Sequence, residues 1–403
     1  MDIDLTDSTH AVEAAAVMSL FPARPRLLAL GEPTHGEDAL LDLRNDLFRQ
    51  LVEQQGYRTI AIESDCLRGL AVDAYITSGT GTLDTVMERG FSHGFGGSAA
   101  NRELVRWMRA FNDGRSGADL LRFAGFDGPL EITGAACPRE SLLALHGWLA
   151  ASLDAELLPC SAESLDRLLG TDEAWVHPAA MMDPAHSAGR SPRARELRLI
   201  ADDLVALLYE RTPQLIAAGS REEWDRARMY GRTATGLLRY HYWMAEPGPS
   251  RMTRLLGLRD AMMAENLLAL AERGPALVFA HNAHLQRRLS GMRMGGAPLE
   301  WWSAGAQVSF RLGEEYGFLA TALGTLSHHE VGPPPPDTLE GLLYALPEER
   351  RVVDARRVAG ALAAAPLTTR VSPWFGYAPL DPSHLPAQDG IVFLRDVRDV
   401  SRD

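Results

Sequence analysis

The chain has 403 residues, 46% hydrophobic and 23% charged, with 40 basic against 53 acidic side chains and a net charge of −13. That composition suits a soluble globular protein of two or three structural units. It excludes disordered and collagen-like chains and argues against a partner with a phosphate backbone or an anionic membrane surface. Lysine is absent, so Schiff-base, phosphate-loop and pyridoxal-lysine chemistries are excluded. The three cysteines, Cys66, Cys137 and Cys160, match no disulfide or zinc pattern. No apolar run reaches spanning length, and the acidic stretch at residues 1–10 carries no signal-peptide pattern, so a reducing cytoplasm is expected.

In chain order, a short apolar run at 26–30 (RLLAL) leads into Gly31-Glu32-Pro33-Thr34-His35-Gly36, then a helix predicted from about Glu37 to Gln54. The run at 58–62 (RTIAI) leads into Glu63-Ser64-Asp65. The run at 121–126 (LRFAGF) ends at Asp127-Gly128, and that at 276–280 (ALVFA) ends at His281-Asn282-Ala283-His284. Further strands are predicted over 307–312, 318–323 and 391–394. Such runs, alternating with helices, predict an α/β fold with a central, mostly parallel sheet flanked by helices. Residues 138–257 carry helical periodicity without a clear strand, apart from a loop-like segment at 187–195. The expected organisation is an α/β core from 1–137 and 258–403, with 138–257 a mostly helical insertion capping the cleft. The proline run at 333–336 reads as a surface turn or stiff spacer.

Ligands of parallel sheets bind beyond the carboxyl ends of the strands. Four runs here end in Glu32 with His35, in Glu63, in Asp127 and in His281 with His284, which implies one convergent site. His35 precedes a helix, whose N-terminal dipole disfavours the imidazolium, while Glu32 and Glu63 favour it. An imidazole so balanced suits a general base. Arg44 lies four residues from both Leu40 and Phe48, on the buried stripe of its helix. It either forms an ion pair with Glu32 or Glu63, or orients a catalytic carboxylate or binds a substrate oxyanion. Arg259 sits in a similar stripe between Leu255 and Met263. His281 and His284 could hold a divalent ion with Glu32 or Glu63, but no HExxH motif or zinc spacing is present. The preferred reading is proton transfer and hydrogen bonding to a carbonyl oxygen or leaving group, with no cofactor. His93, in the glycine-rich HGFGG segment, is a candidate rim residue. Ser64 is a possible nucleophile with no local histidine, and no GxSxG elbow exists.

These residues, with LLALGEPTHGE at 27–37, RTIAIESD at 58–65, WMRAFN at 107–112, FAGFD at 123–127, RDAMMAENL at 259–267 and VFAHNAHL at 278–285, make the chain resemble the erythromycin esterase family. The resemblance spans most of the chain. It implies a parallel-rich sheet under a helical region, a deep cleft and hydrolysis of a macrolactone or related ester. His35 would activate water, and Glu32, Arg44, Glu63, His281 and His284 would line the cleft. His93, Asp127, Arg259 and Glu32 are the expected substrate contacts, and the substrate a small hydrophobic, polyketide-like ester or lactone. Two other readings use the same cleft: non-hydrolytic biosynthetic chemistry such as elimination, cyclisation, epimerisation or acyl transfer, and non-catalytic binding of a small molecule. Neither a nucleic-acid nor a membrane partner is expected.

Overall fold

A computed structural model describes residues 9–131, 133–294, 296–362 and 367–398. The acidic stretch at the N-terminus lies, up to residue 8, outside the described residues. The first part of the chain runs through β1 (Thr9–His10), α1 (Ala14–Met18), β2 (Leu27–Glu32), α2 (Asp38–Gln55), β3 (Thr59–Asp65), α3 (Gly69–Ser78), α4 (Leu83–Arg89), α5 (Ala99–Asn112) and β4 (Arg122–Asp127). A small hairpin, β5 (Leu130–Glu131) and β6 (Gly134–Ala135), leads to helices α6 (Arg139–Ser152), α7 (Ala162–Leu169), α8 (Pro192–Glu210), α9 (Thr212–Ala218), α10 (Arg221–Met244) and α11 (Arg251–Ala271). The chain then returns through β7 (Ala276–His281), α12 (Asn282–Leu285), the hairpin β8 (Leu289–Met294) and β9 (Ala297–Trp302), and α13 (Ala304–Leu312). It closes with β10 (Tyr316–Leu326), α14 (Leu339–Tyr344), β11 (Arg350–Asp354), α15 (Ala355–Leu362) and β12 (Gly390–Val397).

Eight strands form one sheet in the order β1-β11-β12-β10-β2-β7-β3-β4. From β12 to β4 all neighbours are parallel; β11 and β1 extend the edge antiparallel. This is the mixed α/β fold expected from the sequence. Its central strands are apolar on both faces because both are covered. Leu28, Leu30, Ile60, Ile62, Leu277 and Phe279 pack with α2 and α5 residues such as Phe48, Leu51, Leu104 and Met108. Their alternates Leu27, Ala29, Ala61, Val278 and Ala280 pack with Met263 and Leu267 of α11. The helices α6 to α10 bury a core of their own around Leu142, Leu145, Leu149, Leu197, Leu204 and Leu238. Helix α11 runs unbroken across position 257 and carries the chain from those helices back onto the sheet.

Two expected elements differ. Residues 307–312 are helical, not a strand. The Ser303 hydroxyl accepts from the Ala306 N–H to start α13, and Gly313 at φ 55° ends it. Six residues of mixed polarity fit either period, and the caps decide. The segment at 187–195 is partly helical: Ser191 caps α8 and Pro192 opens it, since proline in a first helical turn has no bond to lose.

Candidate active site

Each of the four strands β2, β3, β4 and β7 extends past its apolar run to end on a polar residue: Glu32 on β2, Asp65 on β3, Asp127 on β4 and His281 on β7. Glu32 and His281 are directly paired in register. The β3–β4 register shifts between Ile62 and Asp65, where Glu63 leaves the ladder. Asn282, next after β7, reaches across Gly31 to β10. Its amide donates to the Thr321 carbonyl at 2.8 Å and accepts from the Thr321 N–H at 3.1 Å. A Cβ on Gly31 would collide with that amide, so the glycine is a packing requirement. Gly36, at φ 86°, turns the chain between His35 and α2.

His35 hydrogen-bonds through Nδ1 to Glu32 Oε1 at 2.7 Å. Its ring lies 5.3 Å from that of His281 and 5.4 Å from that of Phe95, centroid to centroid. Its side chain is 41% exposed, and Nε2 takes part in none of these contacts. Burial opposes charge on this imidazole, but Glu63 and the bond to Glu32 outweigh it and raise the His35 pKa. Burial raises that of Glu32.

Glu63 anchors the opposite wall. Its Oε2 accepts from the His281 N–H at 2.8 Å. Its Oε1 lies 2.9 Å from Arg259 Nη2 and 3.3 Å from His284 Nε2. Burial alone would neutralise this carboxyl, but His284, His35 and Arg259 hold it well below the ordinary range. His284 Nδ1 bonds Asp260 Oδ1 at 2.7 Å, and Asp260 Oδ2 accepts from the Ala304 N–H. Against the cost of burial, Asp260 and Glu63 push the His284 pKa up to about 10, so this imidazole is a cation at neutral pH. His281 is its opposite. Nδ1 accepts from the Ala283 N–H at 3.2 Å, which leaves the proton on Nε2, 3.3 Å from the Pro33 carbonyl. Burial and the nearby His35 lower its pKa to about 3, so it is neutral.

Arg259 reaches Asp127 through Nε and Nη2, the latter at 2.7 Å; Nη1 takes part in none of its hydrogen bonds to Asp127 or Glu63. Asp127, held low by Arg259 and His93 against burial, continues the network to His93 Nε2 at 3.2 Å. His93 Nδ1 meets Glu131 at 2.7 Å. His93 is therefore tied down at both ring nitrogens.

The structure thus gathers Glu32, His35, Glu63, Asp127, His281, His284, Arg259 and His93 at one end of the sheet. Arg44 differs from its expected pairing. It is fully buried, but its hydrogen bonds go to Asn45 Oδ1 and Asn101 Oδ1, not to a carboxylate. Its guanidinium also lies 4.9 Å from the Phe279 ring centroid. Burial lowers its pKa to about 10, and Glu32 acts on it through space. The amides of α2 and α5 solvate this cation where the sequence suggested carboxylates. Ser64 is fully buried, and its hydroxyl bonds to Ser92 rather than to an imidazole. Sequence reasoning missed Asp260 and Glu131 and gave Asn282, named at the end of its strand, no role of its own. Asp260 was detectable, since it falls three and seven residues before Met263 and Leu267 on the buried stripe of α11.

Fold and site together define an α/β protein with a cluster of imidazoles and carboxylates at the carboxyl ends of parallel strands. The chain belongs to the erythromycin esterase family, whose model matches residues 52–396. Membership supports an esterase-like hydrolase and implies a small-molecule substrate. Three solved structures share the fold. A Bacillus cereus protein superposes with TM-score 0.71 at 18% identity, covering 98% of this chain and 96% of its own. A succinoglycan biosynthesis protein gives 0.67 at 16%, covering 97% and 95%. A histidine-to-asparagine mutant of the erythromycin esterase EreC, in its open conformation, gives 0.65 at 17%, covering 92% and 90%. No curated protein matches the sequence. Among the described residues no helix is long and apolar enough to cross a membrane.

Proposed function

We propose that the chain hydrolyses an ester or lactone of a small hydrophobic natural product, with His35 as the base that takes a proton from water. The observation that carries this reading is the asymmetry of the three imidazoles. Both ring nitrogens of His281 and of His284 are engaged by the protein. His35 has one nitrogen on Glu32, the other in no hydrogen bond among the described residues, and a side chain 41% exposed. Glu32 fixes the tautomer with hydrogen on Nδ1, leaving the Nε2 lone pair for water, and stabilises the imidazolium once the proton arrives. Water adds to the carbonyl carbon, the tetrahedral oxyanion collapses, and the proton on His35 passes to the leaving alkoxide. Arg259 Nη1 is the donor for the oxyanion, held in place by Glu63 and Asp127. His284 keeps Glu63 ionised, and neutral His281 forms a wall that does not repel the His35 cation.

The test is incubation with a panel of macrolides and simple lactones in ¹⁸O water, read by mass spectrometry. Hydrolysis places one labelled oxygen in the product acid. An unlabelled product would show elimination, cyclisation or acyl transfer, and protection of a ligand without turnover would show a binder. Glu32→Gln should lower kcat about 10²-fold or more while KM moves little, because the tautomer is lost and the cleft is kept.

A further inference from the structure

Beyond the acid–base cleft, a second group of ligating side chains converges at the opening of α2. Glu37, two residues after His35, is buried and accepts from His328 Nε2 at 3.0 Å. His329 Nε2 lies 3.7 Å from the same carboxylate oxygen, Glu37 Oε1. One ligand atom from each of the three residues lies within 4.8 Å of the others, and among the described residues no other His, Cys, Asp and Glu group does this.

The scaffold behind the pair is rigid. Residues 327–330 form a tight turn at the end of β10, closed by Leu326 and Val331 bonding each other in both directions at 2.8 and 3.1 Å. Glu330 takes φ 58°, a left-handed conformation that a non-glycine residue adopts at a cost. The buried Arg370 clamps both sides of the turn, donating to the Leu323, Gly324 and Gly332 carbonyls. Trp374 lies flat on the His329 ring, at 3.6 Å between centroids and 5° between planes, and fixes its orientation. An ordinary surface ion pair has two partners and free side chains. Here two imidazoles, offset by one residue, present the same nitrogen to the same oxygen.

We propose that Glu37, His328 and His329 bind a borderline divalent transition-metal ion of the Zn²⁺ type. Two imidazoles with one carboxylate suit Zn²⁺, Co²⁺ or Ni²⁺ and disfavour Ca²⁺ and Mg²⁺, which take oxygen ligands. The histidine side chains are about one quarter and one third exposed, so solvent reaches the site and water completes the coordination. The ion would tie the turn after β10 to the start of α2, the helix that follows His35. Its site shares no residue with the Glu32–His35 and Glu63–His284 pairs, so metal binding and the proposed hydrolysis are tested by separate measurements.

The test is titration of the full chain with Zn²⁺ and Co²⁺, by calorimetry and by the Co²⁺ absorption bands. The wild type should take up one equivalent with a dissociation constant at or below the micromolar range. Glu37→Gln and, separately, His329→Gln should each weaken binding at least tenfold, with a metal-free melting temperature near that of the wild type for the partly exposed His329. Zn²⁺ should raise the wild-type melting temperature and leave that of His329→Gln unmoved. Absence of saturable binding would overturn the proposal. So would binding that both variants retain, which would place the ion elsewhere, for example at the stacked surface pair His177 and His186.

Discussion

The two walls of the cleft are built on opposite electrostatic plans. On the β3–β7 side, Glu63, His284, Asp260, Arg259 and Asp127 form a closed chain of buried charges in which nearly every donor and acceptor is spent. On the β2 side, His35 and Glu32 form a short dyad with one nitrogen open. A buried charge network is costly to assemble and costly to break, whereas the dyad is a single pair with a buried carboxylate and a partly exposed imidazole. The comparison therefore separates scaffold from reagent. Damage to the first wall, apart from Arg259 as the proposed oxyanion donor, should appear mainly as lost stability, and damage to the second mainly as lost turnover.

The largest stability effect is expected from Glu63→Gln. It leaves His284 and Arg259 facing a neutral amide in a buried setting, and urea denaturation should show a loss of about 3–5 kcal/mol. Asp260→Asn comes next, at about 1–3 kcal/mol, because a donor then competes with the Ala304 N–H and the His284 proton. Gly31→Ala should cost about 1–3 kcal/mol, since the new Cβ displaces the Asn282 amide from Thr321. At the bottom of the scale, Glu131→Gln on the half-exposed end of the His93 contact should cost about 0–1 kcal/mol. A result in which Glu131→Gln exceeds Glu63→Gln would invert the distinction between the walls.

The pH dependence sharpens it further. The His284 pKa rises from an ordinary 6.5 to about 10 in the folded chain. Its contribution to stability is full below the unfolded value and disappears as pH climbs through about 10. His281 shifts the other way, to about 3, so the folded state binds its proton less readily than the unfolded state. Stability from that residue is full above 6.5 and is lost as pH falls toward 3. Thermal melts from pH 4 to 10.5 should show both slopes. His284→Gln should flatten chiefly the alkaline one, with a smaller effect on the acid slope because His284 also helps lower the His281 pKa.

The sequence disclosed the site better than the surroundings that tune it. Strand runs ending in Glu, Asp or His point at a shared edge whatever the details of packing, so β2, β3, β4 and β7 and their terminal residues were readable. The inward position of Arg44 was also readable from its spacing to Leu40 and Phe48. Its partners were not, because Asn101 comes from α5, and helical period carries no information on which helix lies opposite. Asp260 had the right spacing but was obscured by Arg259 beside it. The antiparallel strand β11, RRVVD, escaped because a short run beginning with two arginines resembles a solvated loop. Residues 307–312 were misread because six residues cannot separate a period of 2 from one of 3.6.

The account rests on the open nitrogen of His35. Its most direct test is the turnover of folded His35→Gln on an ester that the wild type cleaves, measured beside a thermal melt. We expect kcat to fall about 10²–10⁴-fold with a melting temperature close to that of the wild type. A folded variant that turns over within about threefold of the wild type, against that 10²-fold minimum, would contradict the assignment of His35 as the base.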